Sequence, residues 1–367
     1  MEPWTLDQLL ATGDYVSPRR DTLSVLWAIT KVCTFSCSYC VYYKSTKGAE
    51  YSSQAQLLGA ARKLVRLGRP EYQITLYGGE PTLHPSFIEL LEYFARCGAP
   101  VSLRVFTNGN SPLTTYERMA QAIGTMAFGV IFSLHLESVN FPKFKRALEA
   151  TALSGVAAGV GIMFTAAHRA EGRRYIEELL ELRRRVPFVV SIAHPYSIDG
   201  DMGEGCTEED LAFVGESQRQ FDAFTPPPGF ASPFFTRVTC QVLVNRADTV
   251  ELVDEAESLR LLRELARPSF RGLYCCSGAN VMFIEEDGAV RGGVCSSSRS
   301  LGNILTDSEI SLLQRAAPIE CSASACNSIE NIPLPKFRDR TEANRVSEEF
   351  KRRAKAYFYG SEAKRLA

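Results

Sequence analysis

From residue 23 to residue 193 the chain alternates short β-rich runs with helical patterns, and this alternation constrains the fold more than any other feature. Consecutive strands joined through helices are crossover-linked, and crossover-linked strands lie parallel in one sheet. Six strands are expected at 23–30, 73–77, 101–107, 128–134, 159–165 and 188–193. Helices are expected between and after them at 53–67, 85–97, 114–123, 141–154 and 170–185, each with apolar residues recurring three or four apart. Right-handed crossovers curl six such units into a barrel, so the expected fold class is α/β, a partial (β/α)6 TIM-like barrel.

After a helix expected at 208–222, the run Thr225-Pro226-Pro227-Pro228-Gly229 can continue neither a helix nor a central strand. A domain limit is placed there, with a barrel over 1–224. Beyond it the rhythm breaks. Strands are expected near 237–245 and 281–285, with a turn at Glu286-Asp287-Gly288 leading to a strand at 289–291. This reads as a smaller C-terminal α+β domain over 225–335, followed by a charged, solvated helix over 336–367.

The length of 367 residues accommodates both units. With 41 Lys+Arg against 42 Asp+Glu, the net charge of -1 supplies no field for phosphate backbones or anionic lipid, so neither nucleic acid nor membrane is expected as a partner. No signal-peptide pattern opens the chain and no 18 apolar residues run together, which leads to a cytoplasmic expectation. In a reducing compartment thiols are more often metal ligands or catalytic groups than disulfides, so the grouping of the 11 cysteines carries weight.

Directly after the first expected strand comes Cys33-Thr34-Phe35-Ser36-Cys37-Ser38-Tyr39-Cys40. Three thiolates on one short loop can wrap a metal centre, and a parallel sheet presents such loops at its carboxyl edge, where ligands bind. On a four-iron cluster three thiolates leave one iron open. Two other readings stay open on spacing alone: a structural zinc site, for which the loop offers no His, and buried cysteines without metal. The second strand ends in Gly78-Gly79-Glu80-Pro81, where two glycines allow close approach of backbone and Glu80 brings a negative charge. The third ends in Thr107-Asn108-Gly109 and the fourth in Ser133-Leu134-His135, at the same edge; the fifth carries Ile162 and Met163.

The three-cysteine loop, with Tyr39 before its last cysteine, resembles that of the radical S-adenosylmethionine (radical SAM) superfamily, over residues 23–193. The resemblance implies a [4Fe-4S] cluster on Cys33, Cys37 and Cys40 whose open iron binds S-adenosylmethionine. It implies cofactor contacts from Tyr39, from Gly78, Gly79, Glu80 and Pro81, and from Asn108, Ser133, His135 and Met163. It also implies the chemistry: reductive cleavage to a 5′-deoxyadenosyl radical that takes a hydrogen atom from a substrate, with an electron donor such as a reductase, flavodoxin or ferredoxin.

A second group comprises Cys275, Cys276, Cys295, Cys321 and Cys326. Cys276 and Cys295 flank the hairpin expected at Asp287-Gly288, and Cys321 and Cys326 follow on a later loop, giving four candidate thiolates with Cys275 as the alternate to Cys276. With Leu301-Gly302-Asn303-Ile304 after Cys295, this stretch resembles the auxiliary-cluster extension called SPASM, or its shorter form twitch, and implies one auxiliary iron-sulfur cluster; four thiolates can equally hold a zinc ion. Cys97, at a helix end, is read as structural. Cys206 is a candidate hydrogen-atom donor to a substrate radical, or else an exposed loop thiol.

The expected function is that of a radical SAM enzyme acting on a small polar metabolite, such as a sugar, aminosugar or nucleoside, by dehydrogenation, epimerisation or decarboxylation. Only about twenty residues precede the first strand, which leaves no room for a separate peptide-recognition domain and tilts the reading away from its alternative, maturation of a ribosomally made peptide. A reading of another class is a non-catalytic metal-binding or electron-carrier protein.

Overall fold

The computed structural model of the chain describes residues 15–16, 22–40, 51–193, 205–224, 242–246, 249–253, 272, 274–278, 281–293, 295, 298–322, 336–337, 339–345, 347–348 and 351–352. After a short strand β1 (Tyr15–Val16), six strands follow in order: β2 (Thr22–Thr30), β3 (Glu71–Gly78), β4 (Val101–Thr107), β5 (Ala127–His135), β6 (Ala157–Met163) and β7 (Val189–Ala193). Each pairs in parallel with the next. The helices are α1 (Gln54–Val65), α2 (Phe87–Arg96), α3 (Leu113–Ala122), α4 (Phe141–Leu153), α5 (Arg169–Arg183) and α6 (Glu208–Asp222). The α/β fold with a partial TIM-like barrel is as expected.

Local chemistry sets several of these boundaries. Ser53 and Gln56 form a capping box at the start of α1, and Thr207 and Asp210 form another at α6, so the first orphan N–H groups of both helices are satisfied by side chains. Asn140 caps α4 through Lys143 N, with Pro142 in the first turn where no donor is needed. β6 begins two residues earlier than expected, at Ala157. Alanines favour strands weakly, but the ladder with Gly129 and Val130 of β5 overrides that preference.

Strand alternation divides the wall into two faces. In β4, Val101, Leu103 and Val105 are buried in one apolar core that also takes in Leu57, Leu64, Leu90, Leu91, Tyr116, Phe144 and Leu148 from α1 to α4. The alternate positions Ser102, Arg104 and Phe106 face the bore. Through the register, Gln73, Thr75 and Tyr77 of β3, Gly129, Ile131, Ser133 and His135 of β5, and Gly161 and Met163 of β6 share that inner face.

The C-terminal half departs from expectation in how it joins the barrel. Beyond a hairpin of β8 (Val242–Arg246) and β9 (Thr249–Val253) and a short β10 (Tyr274–Cys275), strand β11 (Val281–Ile284) pairs in parallel with β2. β12 (Ala289–Arg291) and β13 (Ser300–Asn303) then continue antiparallel, so one sheet of nine strands runs β13-β12-β11-β2-β3-β4-β5-β6-β7. A partial barrel leaves β2 with an unpaired edge, and the Asp287-Gly288 hairpin covers it. Helix α7 (Glu309–Gln314) packs on β13, and short strands β14 (Ile319–Glu320) and β15 (Lys336–Phe337) flank β10. The proline run at 226–228, where a domain limit is expected, lies outside the described residues, as do residues 237–241 of the strand expected at 237–245. Among the described residues no helix is long and apolar enough to cross a membrane.

Candidate functional site

The cysteine loop leaves β2 at Thr30 and lies across the carboxyl ends of β3, β4 and β5. Its stem is fixed first. Gly79 N donates to Thr30 O at 2.8 Å and Glu80 N to Val32 O at 2.7 Å. A Cβ on Gly79 would stand 2.2 Å from Val32 O, and one on Gly78, whose φ is +134°, 2.3 Å from Thr30 O. The two glycines therefore allow backbone of β3 to pack against the loop's own stem, a closer reason than the approach of a ligand expected from sequence.

Glu80 is 1% exposed, and its carboxylate turns into the protein. It accepts from Thr107 Oγ1 at 2.9 Å, Asn108 N at 2.6 Å, Thr82 N at 3.2 Å and Thr82 Oγ1. These bonds join the ends of β3 and β4. Burial raises the Glu80 pKa while these hydrogen bonds pull it back. Pro81, also buried, opens the following 3-10 turn.

Asn108 reaches the loop directly, its Nδ2 donating to Thr34 Oγ1 at 3.1 Å and to Cys33 Sγ at 3.7 Å. The end of β5 reaches it from the other side. The Tyr39 hydroxyl and His135 Nδ1 share a hydrogen bond of 2.9 Å with their rings stacked, and Phe35 meets His135 edge-on. Glu137 accepts from both Ser38 N (2.5 Å) and Ser38 Oγ (2.9 Å). Thr34, Ser38 and Glu137 escaped the sequence reading, because contacts across 74 to 99 residues leave no local pattern.

The three thiols are free and half-buried. Burial pushes Cys37 up to about 11, helped by the Glu137 carboxylate, and raises Cys33 as well. Thiols so placed ionise readily only with a cation to compensate. Among the described residues no three Cys, His, Asp or Glu side chains close on a point able to hold one metal ion. A tetrahedral zinc would draw its thiolates to within about 4 Å of each other, whereas a cluster with one thiolate per iron spaces them wider. Three thiols on one loop can give one ligand to each of three irons, which fits a cluster with an open iron.

Of the remaining expected contacts, Ser133 and Met163 lie on the inner face at the mouth, with His135 opposite Met163 in register. Ile162 turns outward into the apolar core. Arg104, missed from sequence, stands deeper in the bore, donating through Nε and Nη2 to Thr75 Oγ1 with its guanidinium 5.5 Å from the centre of the Phe106 ring. Cys206 starts the turn into α6, where it packs against the apolar core and its neighbours include Ala166, Arg169 and Asp210. These are not residues of the cysteine-loop site. Cys97 donates to Phe94 O at the end of α2, as a structural thiol does.

The segments that carry the second cysteine group meet around β10. Ser277 donates to Gly292 O, and Gly278 packs on Gly292, which brings the end of β10 beside the turn holding Cys295. Cys321 follows β14, and its carbonyl accepts from Gly272 N. Register separates the adjacent pair: Cys275 stands opposite Ile319, and Cys321, two residues on, falls on the same face by alternation. Cys276 turns to the other face, fully buried with Phe337 and Ala343, where its thiol donates to Ala343 O. Cys326 lies outside the described residues.

The family model of the Radical SAM superfamily matches residues 27–152, from within β2 to the end of α4. The match takes in β2 to β5 and the helices that join them, about a third of the chain. Among curated proteins, the GTP 3',8-cyclase of Haemophilus ducreyi is 32% identical over 85 residues, 22% of this chain and 24% of that protein. The GTP 3',8-cyclase of Actinobacillus succinogenes is 26% identical over 156 residues, 41% of this chain and 44% of that protein. The chain thus spans from a quarter to less than half of the length of these relatives. Among solved structures, native anSMEcpe with bound AdoMet and Kp18Cys peptide superposes with a TM-score of 0.51 at 16% identity, over 93% of this chain and 99% of that one, which marks a shared fold.

Proposed function

We propose that the protein is a radical SAM enzyme that binds a [4Fe-4S] cluster on Cys33, Cys37 and Cys40 and S-adenosylmethionine at the mouth of the barrel. The observation that carries this reading is the loop itself, with three free thiols held at the carboxyl edge of a parallel barrel by β3, β4 and β5. Bound there, the cluster and S-adenosylmethionine would supply a 5′-deoxyadenosyl radical able to take a hydrogen atom from a substrate. The chain's part is to hold and to shield. Asn108, Tyr39 and Glu137 fix the loop, backbone at Gly78 to Pro81 and the side chains of Ser133, His135 and Met163 border the cofactor, and the bore receives the substrate away from water.

The substrate we assign is a small polar metabolite. Arg104, Gln73, Thr75, Ser102 and Ser133 give the bore a polar lining, and the curated relatives bear the name of an enzyme acting on GTP. Cys275, Cys295, Cys321 and Cys326 would hold one auxiliary cluster. Cys275 is preferred over Cys276 because it shares a face with Cys321. A cytoplasmic reductase, flavodoxin or ferredoxin would supply electrons.

The test is iron and sulfide per chain after anaerobic reconstitution, with reductant-dependent cleavage of S-adenosylmethionine, for wild type and for the variant with Cys33, Cys37 and Cys40 all replaced by Ala. Two four-iron clusters predict about eight irons falling to about four, with cleavage abolished. A wild type that takes up no iron, or a triple variant that still cleaves S-adenosylmethionine, would overturn the assignment.

A further inference from the structure

The end of β5 and the turn that follows it touch the cysteine loop at two places. His135 meets Tyr39, and Glu137 receives both donors of Ser38. The turn is itself braced, with Ser138 N and Val139 N both donating to His135 O. Of these contacts the one from Glu137 differs in kind, since it adds a carboxylate to a loop whose thiols become thiolates once a cluster binds.

We infer that Glu137 is a positioning residue with two effects on the proposed cluster: it clasps Ser38, and so fixes the spacing between Cys37 and Cys40, and its negative charge lowers the cluster's reduction potential. The inference rests on the reading that Cys33, Cys37 and Cys40 hold a cluster. The clasp follows from geometry. Two donors one bond-set apart on Ser38, the backbone N–H and the hydroxyl, meet the two oxygens of one carboxylate, which fixes the peptide between Cys37 and Ser38 more firmly than a single bond can. The electrostatic effect follows from sign. Reduction adds an electron to a group already ringed by thiolates, and a carboxylate beside Cys37 makes that electron less welcome.

The reconstituted full chain provides the test, with the midpoint potential of the cluster whose electron paramagnetic resonance signal changes on adding S-adenosylmethionine. Glu137→Gln keeps the size of the side chain and one acceptor while removing the charge, so the midpoint should rise with iron content close to wild type. Glu137→Ala removes the clasp too, and should load less iron under the same reconstitution. A Glu137→Gln midpoint equal to or below that of wild type would overturn the electrostatic role, and a Glu137→Ala protein with full iron content would overturn the clasp. These results are separable from failure of the underlying reading, in which the wild type itself would show no cluster sensitive to S-adenosylmethionine.

Discussion

Replacing Gly79 with Ala tests whether the loop stem is as closely fitted as its hydrogen bonds indicate. The new Cβ would begin 2.2 Å from Val32 O and 2.6 Å from Lys31 O, both backbone atoms with no side-chain freedom to withdraw. Contacts of a real Cβ start near 3.0 Å, so the stem must retreat by about 0.8 Å. That movement stretches the 2.7 Å bond from Glu80 N to Val32 O beyond hydrogen-bonding range, and strains the 2.8 Å bond from Gly79 N to Thr30 O. Two impaired bonds with buried donors cost about 2 to 5 kcal/mol together, a large share of a typical total of about 5 to 15 kcal/mol. Val32 precedes Cys33, so the displacement passes into the first thiol. The assay pairs urea unfolding of the cluster-free protein with iron content after reconstitution, and both should fall. Gly59→Ala is the control. Its Cβ meets nothing within 4 Å in the middle of α1, so it should stabilise by about 0.5 to 1 kcal/mol. A Gly79→Ala protein within about 0.5 kcal/mol of wild type and with undiminished iron would refute the argument.

Two further outcomes are expected. Cys275→Ala should remove about four of eight irons, whereas Cys276→Ala should keep them and lose about 1 kcal/mol of stability through its vacated apolar site; iron analysis and unfolding of the two variants separate the cases, and the reverse pattern would exchange the assignments. His84 accepts from Ser86 N at Nδ1 and meets Ser52 Oγ at Nε2, and burial lowers its pKa. The folded protein therefore takes this proton less readily than the unfolded chain, so the stability His84 contributes is complete above the ordinary histidine range and is lost as pH falls through about 6.5. Unfolding at pH 7.5 and 5.5 should show a steeper loss for wild type than for His84→Gln, and parallel losses would contradict it.

The barrel was legible because each βα unit repeats its own hydrophobic period, so strands such as Val101–Thr107 and helices such as Glu208–Asp222 stand where the pattern puts them. The cysteine loop was legible because ligand spacing is local. What the pattern could not carry were partnerships across long stretches of chain. Nothing near Val281 indicates that its strand will pair with Ser24, and nothing near Glu137 points to Ser38. The partners of Glu80 were hidden for a related reason: four donors from two segments are brought around its carboxylate only by the fold. The adjacent Cys275 and Cys276 became distinct only through register, because alternation sends neighbours to opposite faces.

The pairing of β11 with β2 also bears on the order in which the protein becomes safe from itself. Residues 22–30 are made early, yet the partner for their outer edge is not made until residue 281. While the rest of the chain is being synthesised, a long, apolar strand presents open N–H and C=O groups along one side of an otherwise assembled sheet, which is the template on which other chains stack. A fragment ending before residue 281 would keep that template permanently, and its tendency to aggregate would reflect a missing edge strand rather than an unstable core.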